Sequence, residues 1–227
     1  MGFLNLFKRT PKPLKKPAVP FDFPFTILSD LKPEHVLSAW QSAPRGDSTP
    51  VVVVWDENMQ DLGNDPAPIT ENVDLDAFLH ERLEDQFSDE EARNIFIGAE
   101  SDPAPRPQTL ARFDARNTTV CLAQIPTSNP WEVVRHIPFG GWNECPDAGI
   151  AEAFLKRLYD RYGAVPVTIR SDVLELVPAR KPRGREAYDL AMQMYAFCPD
   201  AISQGFGTVH SLAKGLEFFD VWYFWWD

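Results

Sequence analysis

The run Val221-Trp222-Tyr223-Phe224-Trp225-Trp226-Asp227 constrains the fold more than any other stretch, because five of its seven residues are aromatic. In an extended backbone, alternate side chains point to opposite faces. Val221, Tyr223 and Trp225 then share one face, and Trp222, Phe224 and Trp226 share the other. Both faces are apolar, a pattern suited to a strand in the middle of a sheet covered on both sides. An edge strand would show one wet face. Each aromatic ring buried removes roughly 150–250 Å² from water. We therefore expect the fold to close on this strand and to be lost without it.

The rest of the chain supplies layers to cover such a strand. A helix is expected from Pro33, with Val36, Leu37 and Trp40 inward, and Thr49 to Trp55 reads as a buried β-branched strand. Between Asp56 and Asp102 there are fifteen Asp or Glu against only Arg82 and Arg93. Within that region Leu75, Phe78, Leu79 and Leu83 recur at helical spacing behind the capping residue Asp74, so a solvated helix with an apolar stripe is predicted. Asn94 to Ile97 reads as a strand, and Ser101 to Gln108, with three prolines, as a loop.

From Asn117 onwards the pattern tightens. Thr118 to Ile125 reads as a strand, and a short helix around Trp131, Val134 and Ile137 precedes a loop from Phe139 to Pro146. Asp147 can cap a long helix that Gly163 ends. Val165 to Ile169 and Val173 to Val177 are spaced as a hairpin, residues 184–197 form a helix, and Cys198 to Gly207 a loop. A short helix around Val209, Leu212 and Leu216 leads into the aromatic strand. This alternation predicts an α/β layered architecture with a mixed sheet, helices packed on it and a buried aromatic C-terminal strand.

Charge divides the chain. Residues 1–20 carry Lys8, Arg9, Lys12, Lys15 and Lys16 with four prolines and no acid; the net charge of -11 therefore becomes -16 for residues 21–227. We read a basic arm over 1–20, an acidic N-terminal α/β region over 21–112 and a C-terminal domain over 113–227. The arm is expected to be disordered and to lie loosely over the acidic body. Its Phe3, Leu4, Leu6 and Phe7 extend barely two helical turns, so membrane anchoring is set aside. The acidic balance argues against a nucleic-acid partner. No apolar run is long enough to span a bilayer, and the first residues lack the order of a signal peptide, so a cytoplasmic location is expected.

Several segments are familiar in order. They are Gly140-Gly141-Trp142-Asn143-Glu144-Cys145-Pro146, Arg161-Tyr162-Gly163-Ala164, Asp172-Val173-Leu174-Glu175-Leu176, Tyr195-Ala196-Phe197-Cys198-Pro199-Asp200, Gln204-Gly205 and the terminal Trp222 to Asp227. The stretch from about Asn117 to Asp227 resembles the bacterial family called domain of unknown function 4253. The resemblance implies that this half is the family domain. It brings no activity, cofactor or catalytic residue with it.

Candidate chemistry rests on the carboxylates. Glu175 alternates with Val173 and Val177, and desolvation there would raise its pKa as a general acid or base requires; the structural reading gives it Arg170 or Arg180 as a partner. Asn143, Glu144, Asp200 and Gln204 stand in loops bordering helices, with Asp172 at the strand turn. They are candidates for ligand binding and equally for capping helices and closing turns. Asp227 beside Trp225 and Trp226 suggests either an aromatic-walled cation site or a strand end held by a basic side chain.

Metals and cofactors find no pattern. Cys121, Cys145 and Cys198 with His136 and His210 lack zinc spacing, and Asp56 to Asp61 opens like a calcium loop but has Asp61 where glycine is required. Gly205-Phe206-Gly207 lacks the third glycine of a dinucleotide fingerprint. No metal or cofactor is expected. The sequence favours a non-enzymatic binding module whose acidic surface meets a basic protein partner, or one with a small-molecule ligand. The alternative is a hydrolase or transferase pairing Glu175 with Asp172 or Asp200.

Overall fold

A computed structural model describes residues 18–29, 31–105 and 117–227. Residues 1–17 of the basic arm and 106–108 of the proline-rich loop lie outside them. The N-terminal half runs β1 (Phe25–Ile27), α1 (Val36–Gln41), β2 (Thr49–Trp55), α2 (Glu57–Asn64), α3 (Leu75–Gln86) and α4 (Glu90–Ile97). After it come β3 (Thr119–Ile125), α5 (Val133–His136), α6 (Ala148–Tyr162), β4 (Val165–Ile169) and β5 (Val173–Val177). The chain closes with α7 (Arg185–Phe197), a π-helical turn (Ala201–Phe206), α8 (Val209–Leu216) and β6 (Trp222–Trp225).

Among the described residues, six strands form one mixed sheet in the order β1-β3-β2-β4-β5-β6. Only β2 and β4 run parallel, and every other neighbouring pair is antiparallel. The α/β layered expectation therefore holds. β2 lies between β3 and β4, so the sheet takes strands from both halves of the chain. It is buried along its whole length, as its β-branched run requires. Val51, Val53 and Trp55 enter the larger core, while Val52 and Val54 pack with Val36 and Trp40 on the opposite face. There the Trp40 indole N–H donates to the Pro50 carbonyl at 2.8 Å.

The aromatic strand corrects one expectation. Among the described residues β6 is an edge strand, paired on one side with β5. Its two faces differ accordingly. Trp222, Phe224 and Trp226 are fully buried in the larger core against Phe154, Phe197 and Tyr162, whereas Tyr223 and Trp225 are half-buried. Composition alone could not distinguish a middle strand from an edge strand whose exposed flank is filled by other groups.

Helix boundaries follow their caps. The side chains of Asp74, Asp147 and Thr208 accept first-turn N–H groups of α3, α6 and α8, and α6 ends at Gly163 in the left-handed region. Asp56 caps α2 by accepting from the Met59 N–H at 2.8 Å, which is what its run of polar residues does in place of a calcium loop. The strand expected at Asn94 to Ile97 is instead the last part of α4. Glu90 and Glu91 occupy its first turn, Arg93 N–H donates to Asp89 O, and Phe96 packs against Tyr195. Tertiary packing settles a four-residue apolar run that is ambiguous by period. The loop read from Cys198 to Gly207 contains the π-helical turn.

Candidate functional site

The C-terminal ends of the parallel strands β2 and β4 meet at the middle of one end of the sheet, the position where open α/β sheets place ligand sites. Asp56 leaves β2 there, and Arg170, Ser171 and Asp172 form the turn between β4 and β5. The Arg170 guanidinium Nε lies 3.0 Å from Asp56 and 3.1 Å from Asp172, joining two carboxylates from different strands. The Ser171 hydroxyl donates to Asp56 at 3.4 Å, and its carbonyl accepts the Trp142 indole N–H at 3.1 Å. Burial raises the Asp172 pKa, with the Asp56 charge adding to the effect and Arg170 opposing it.

Glu175 follows on β5. It is fully buried, opposite Thr168 of β4 and Tyr223 of β6. Burial, with the Glu175 and Asp172 carboxylates nearby, pushes the Tyr223 hydroxyl up to about 12. Arg180, one of the partners expected for Glu175, instead makes a bidentate pair with Glu186.

The remaining candidates gather at the open side of β6 and have structural partners. Trp226 N–H donates to Asp172 O at 3.0 Å, toward β5. Since main-chain groups alternate along an extended strand, Trp225 and Asp227 direct theirs to the open side. The Cys198 thiol donates to Trp225 O at 3.0 Å, and the Asp200 carboxylate accepts Asp227 N–H at 3.0 Å. The Asn143 amide donates to Asp227 O. Asp200 is fixed in turn by the Gln204 amide at 3.1 Å. The main chain of Asp227 is thus held by an amide and a carboxylate, where the sequence suggested a basic side chain. Glu144 pairs with Arg82 of α3, which also donates to the Glu144 and Ala196 carbonyls.

The loop carrying Asn143 adopts left-handed backbone at Gly140, Gly141 and Asn143. A Cβ at Gly140 would overlap the Pro146 carbonyl oxygen, so glycine is required there for close approach as well as for φ.

Residues 121–227 match the family model described as Domain of unknown function (DUF4253). The match covers the C-terminal segment that resembles DUF4253 in sequence. No curated protein and no solved structure was found to match the chain. The DUF4253 segment begins inside β3 and contains Arg170, Asp172, Glu175 and every partner of the β6 open side, while Asp56 and Arg82 come from outside it. Both contacts join the family segment to the acidic half.

Three further properties bear on chemistry. Burial pushes the Cys121 and Cys198 thiols up to about 12 and Cys145 well above the ordinary range, so none is a ready thiolate at neutral pH. Among the described residues no group of three His, Cys, Asp or Glu is arranged to hold a metal, and no helix is long and apolar enough to cross a membrane. Sequence reasoning overlooked Asp56 with Arg170 as a pair, since 114 residues separate them. It also overlooked the run Arg180-Lys181-Pro182-Arg183-Gly184-Arg185, a dense basic segment whose contrast with an acidic chain was a readable signal.

Proposed function

We propose that this protein is a cytoplasmic, non-enzymatic binding module whose acidic α3–α4 surface meets a basic protein partner and can neutralise it. The supporting observation is the outer face of these helices. Glu81, Asp85, Glu90 and Glu91 are exposed, and among the described residues none of them makes an ion pair. Ile95, one helical turn beyond Glu91, is 59% exposed, an apolar contact point beside the negative charge. The inner face is used up in packing, with Leu75 and Leu79 in the core and Phe87 and Phe96 against Tyr195. Uncompensated surface charge accelerates encounter with an oppositely charged partner and discriminates against others.

An acid/base enzyme draws less support. Glu175 is fully buried, Asp172 is engaged by Arg170, and Asp200 is occupied by Asp227 N–H and Gln204. The test is affinity capture with the wild-type protein and with a variant carrying Glu81→Lys, Asp85→Lys, Glu90→Lys and Glu91→Lys. The reading expects a basic protein retained by the wild type, released by raised salt and lost from the folded variant. Recovery of the same proteins by both baits would refute it.

A further inference from the structure

Next to the end of α4, the first turn of α7 and the length of α8 line a cleft of about 540 Å³. We infer that this cleft binds a small anion built on a flat ring, such as a nucleotide or an aromatic acid. Its floor is the ring pair Tyr188 and His210, with centroids 4.8 Å apart and planes at 45°. Ala213 and Lys214 of α8 also line the cleft. Arg185 stands at the mouth, its guanidinium 5.6 Å from the Tyr188 ring centre. A flat ring can stack on such a floor, and a guanidinium beside it favours a ligand with negative charge.

The charges around the cleft are unequally committed. The Lys214 ammonium donates to the carbonyls of Glu100 and Asp102, neutral acceptors that fix its position and leave its charge in place. Arg185 pairs with Asp189 through Nε, which leaves its Nη groups for a ligand. The Glu217 carboxylate accepts from Gly184 N–H at 2.8 Å, which leaves its charge in place, and that charge is offset by Arg183 at 3.7 Å. Glu100, exposed, is the acid left without an ion pair among the described residues of the lining, against Arg185 and Lys214. Gly184, at φ +50 with nothing within 4 Å of a Cβ position, turns the chain sharply at the mouth without narrowing it.

Amide resonances of the full chain would be followed by NMR during titration with adenosine monophosphate and with benzoate. Inorganic phosphate (charge without a ring) and adenosine (a ring without charge) serve as controls. The cleft reading expects at least one ring anion to shift residues 184–188 and 210–217, with both controls much weaker. It further expects roughly tenfold weaker binding in Arg185→Ala, whose surface side chain is 84% exposed, and in His210→Ala. Absence of shifts from both ring anions at millimolar concentration overturns the inference. So do shifts confined to another surface, or affinity unchanged in both variants. A response to phosphate equal to that of the ring anions also overturns it, since the aromatic floor would then play no part. None of these results depends on the acidic surface of α3 and α4.

Discussion

Phe224 is the place to test whether the fold closes on the terminal strand. Its side chain is fully buried, edge-on to Phe197 at 5.6 Å and Phe154 at 6.0 Å and stacked with Trp226 at 6.3 Å. Phe224→Ala removes the ring from three aromatic neighbours that are held by two helices and the strand itself, so the cavity has little room to collapse. The expected loss is about 3–5 kcal/mol. For a chain of this size each kcal/mol lowers Tm by about 2–4 °C, which gives a drop of roughly 6–20 °C. Trp225→Ala is the matched control on the same strand. It deletes a larger but half-buried ring and leaves the main-chain bond from Cys198 intact, so its expected cost is under about 2 kcal/mol. Urea unfolding followed by circular dichroism measures both, with an unchanged slope showing that only stability has moved. A loss under about 1 kcal/mol for Phe224→Ala, or equal losses for the two variants, would refute the packing argument. A chain truncated at Phe219 is expected to show no cooperative transition at all.

Other expectations are smaller or narrower. Gly140→Ala should cost more than about 2 kcal/mol in the same assay, because the backbone of Pro146 blocks the new methyl, while Gly184→Ala meets no atom and should cost only about 1 kcal/mol. Asp200→Ala should cost about 1–2 kcal/mol through loss of the bonds to Asp227 and Gln204, and Asp200→Asn should restore part of it. Two carboxyls bias acid stability in opposite senses. At Asp147, burial raises the pKa but the bonds from Thr70, Gly149 and Ile150 outweigh it, so the folded value is lowered from 3.8. That group stabilises the fold above pH 3.8 and its contribution disappears as pH falls through the lowered value, so Asp147→Asn should shrink the acid-induced loss of stability. Burial raises Asp172 above 3.8, so its contribution is full below pH 3.8 and is lost as pH rises through the folded value. Asp172→Asn should therefore remove a decline in stability on that side of the titration.

What could be read from residues alone was whatever depends on neighbours in sequence. The β2 run, the capped helices α3 and α6, the β4–β5 hairpin and the closing strand were all visible, because period, caps and turn residues act within a few positions. β1 was not, since three residues carry too little pattern, and α2 was hidden by polar residues that resembled a metal loop. The candidate site shows the same division. Asp172 and Glu175 stood out by local contrast, but Asp56 and Arg82 reach their partners across 114 and 62 residues, distances at which only topology brings groups together. The roles of Asn143, Asp200 and Gln204 were likewise set by a strand at the far end of the chain.

The arrangement beside β6 has a consequence for molecules of this protein in company. A bare edge offers a row of donors and acceptors on which the strand of another molecule can grow, and an aromatic edge adds adhesive surface to that template. Here the outward Trp225 carbonyl and the N–H and carbonyl of Asp227 already bond to Cys198, Asp200 and Asn143, so a strand arriving at that end of the edge would have to displace three side chains before pairing there. At the other edge β1 is only three residues long. Both margins of the sheet therefore discourage fibril-like growth. A chain ending in five aromatic residues out of seven can then stay dispersed at high concentration, and weakening the Asp200 contact should show first as a lower concentration threshold for aggregation.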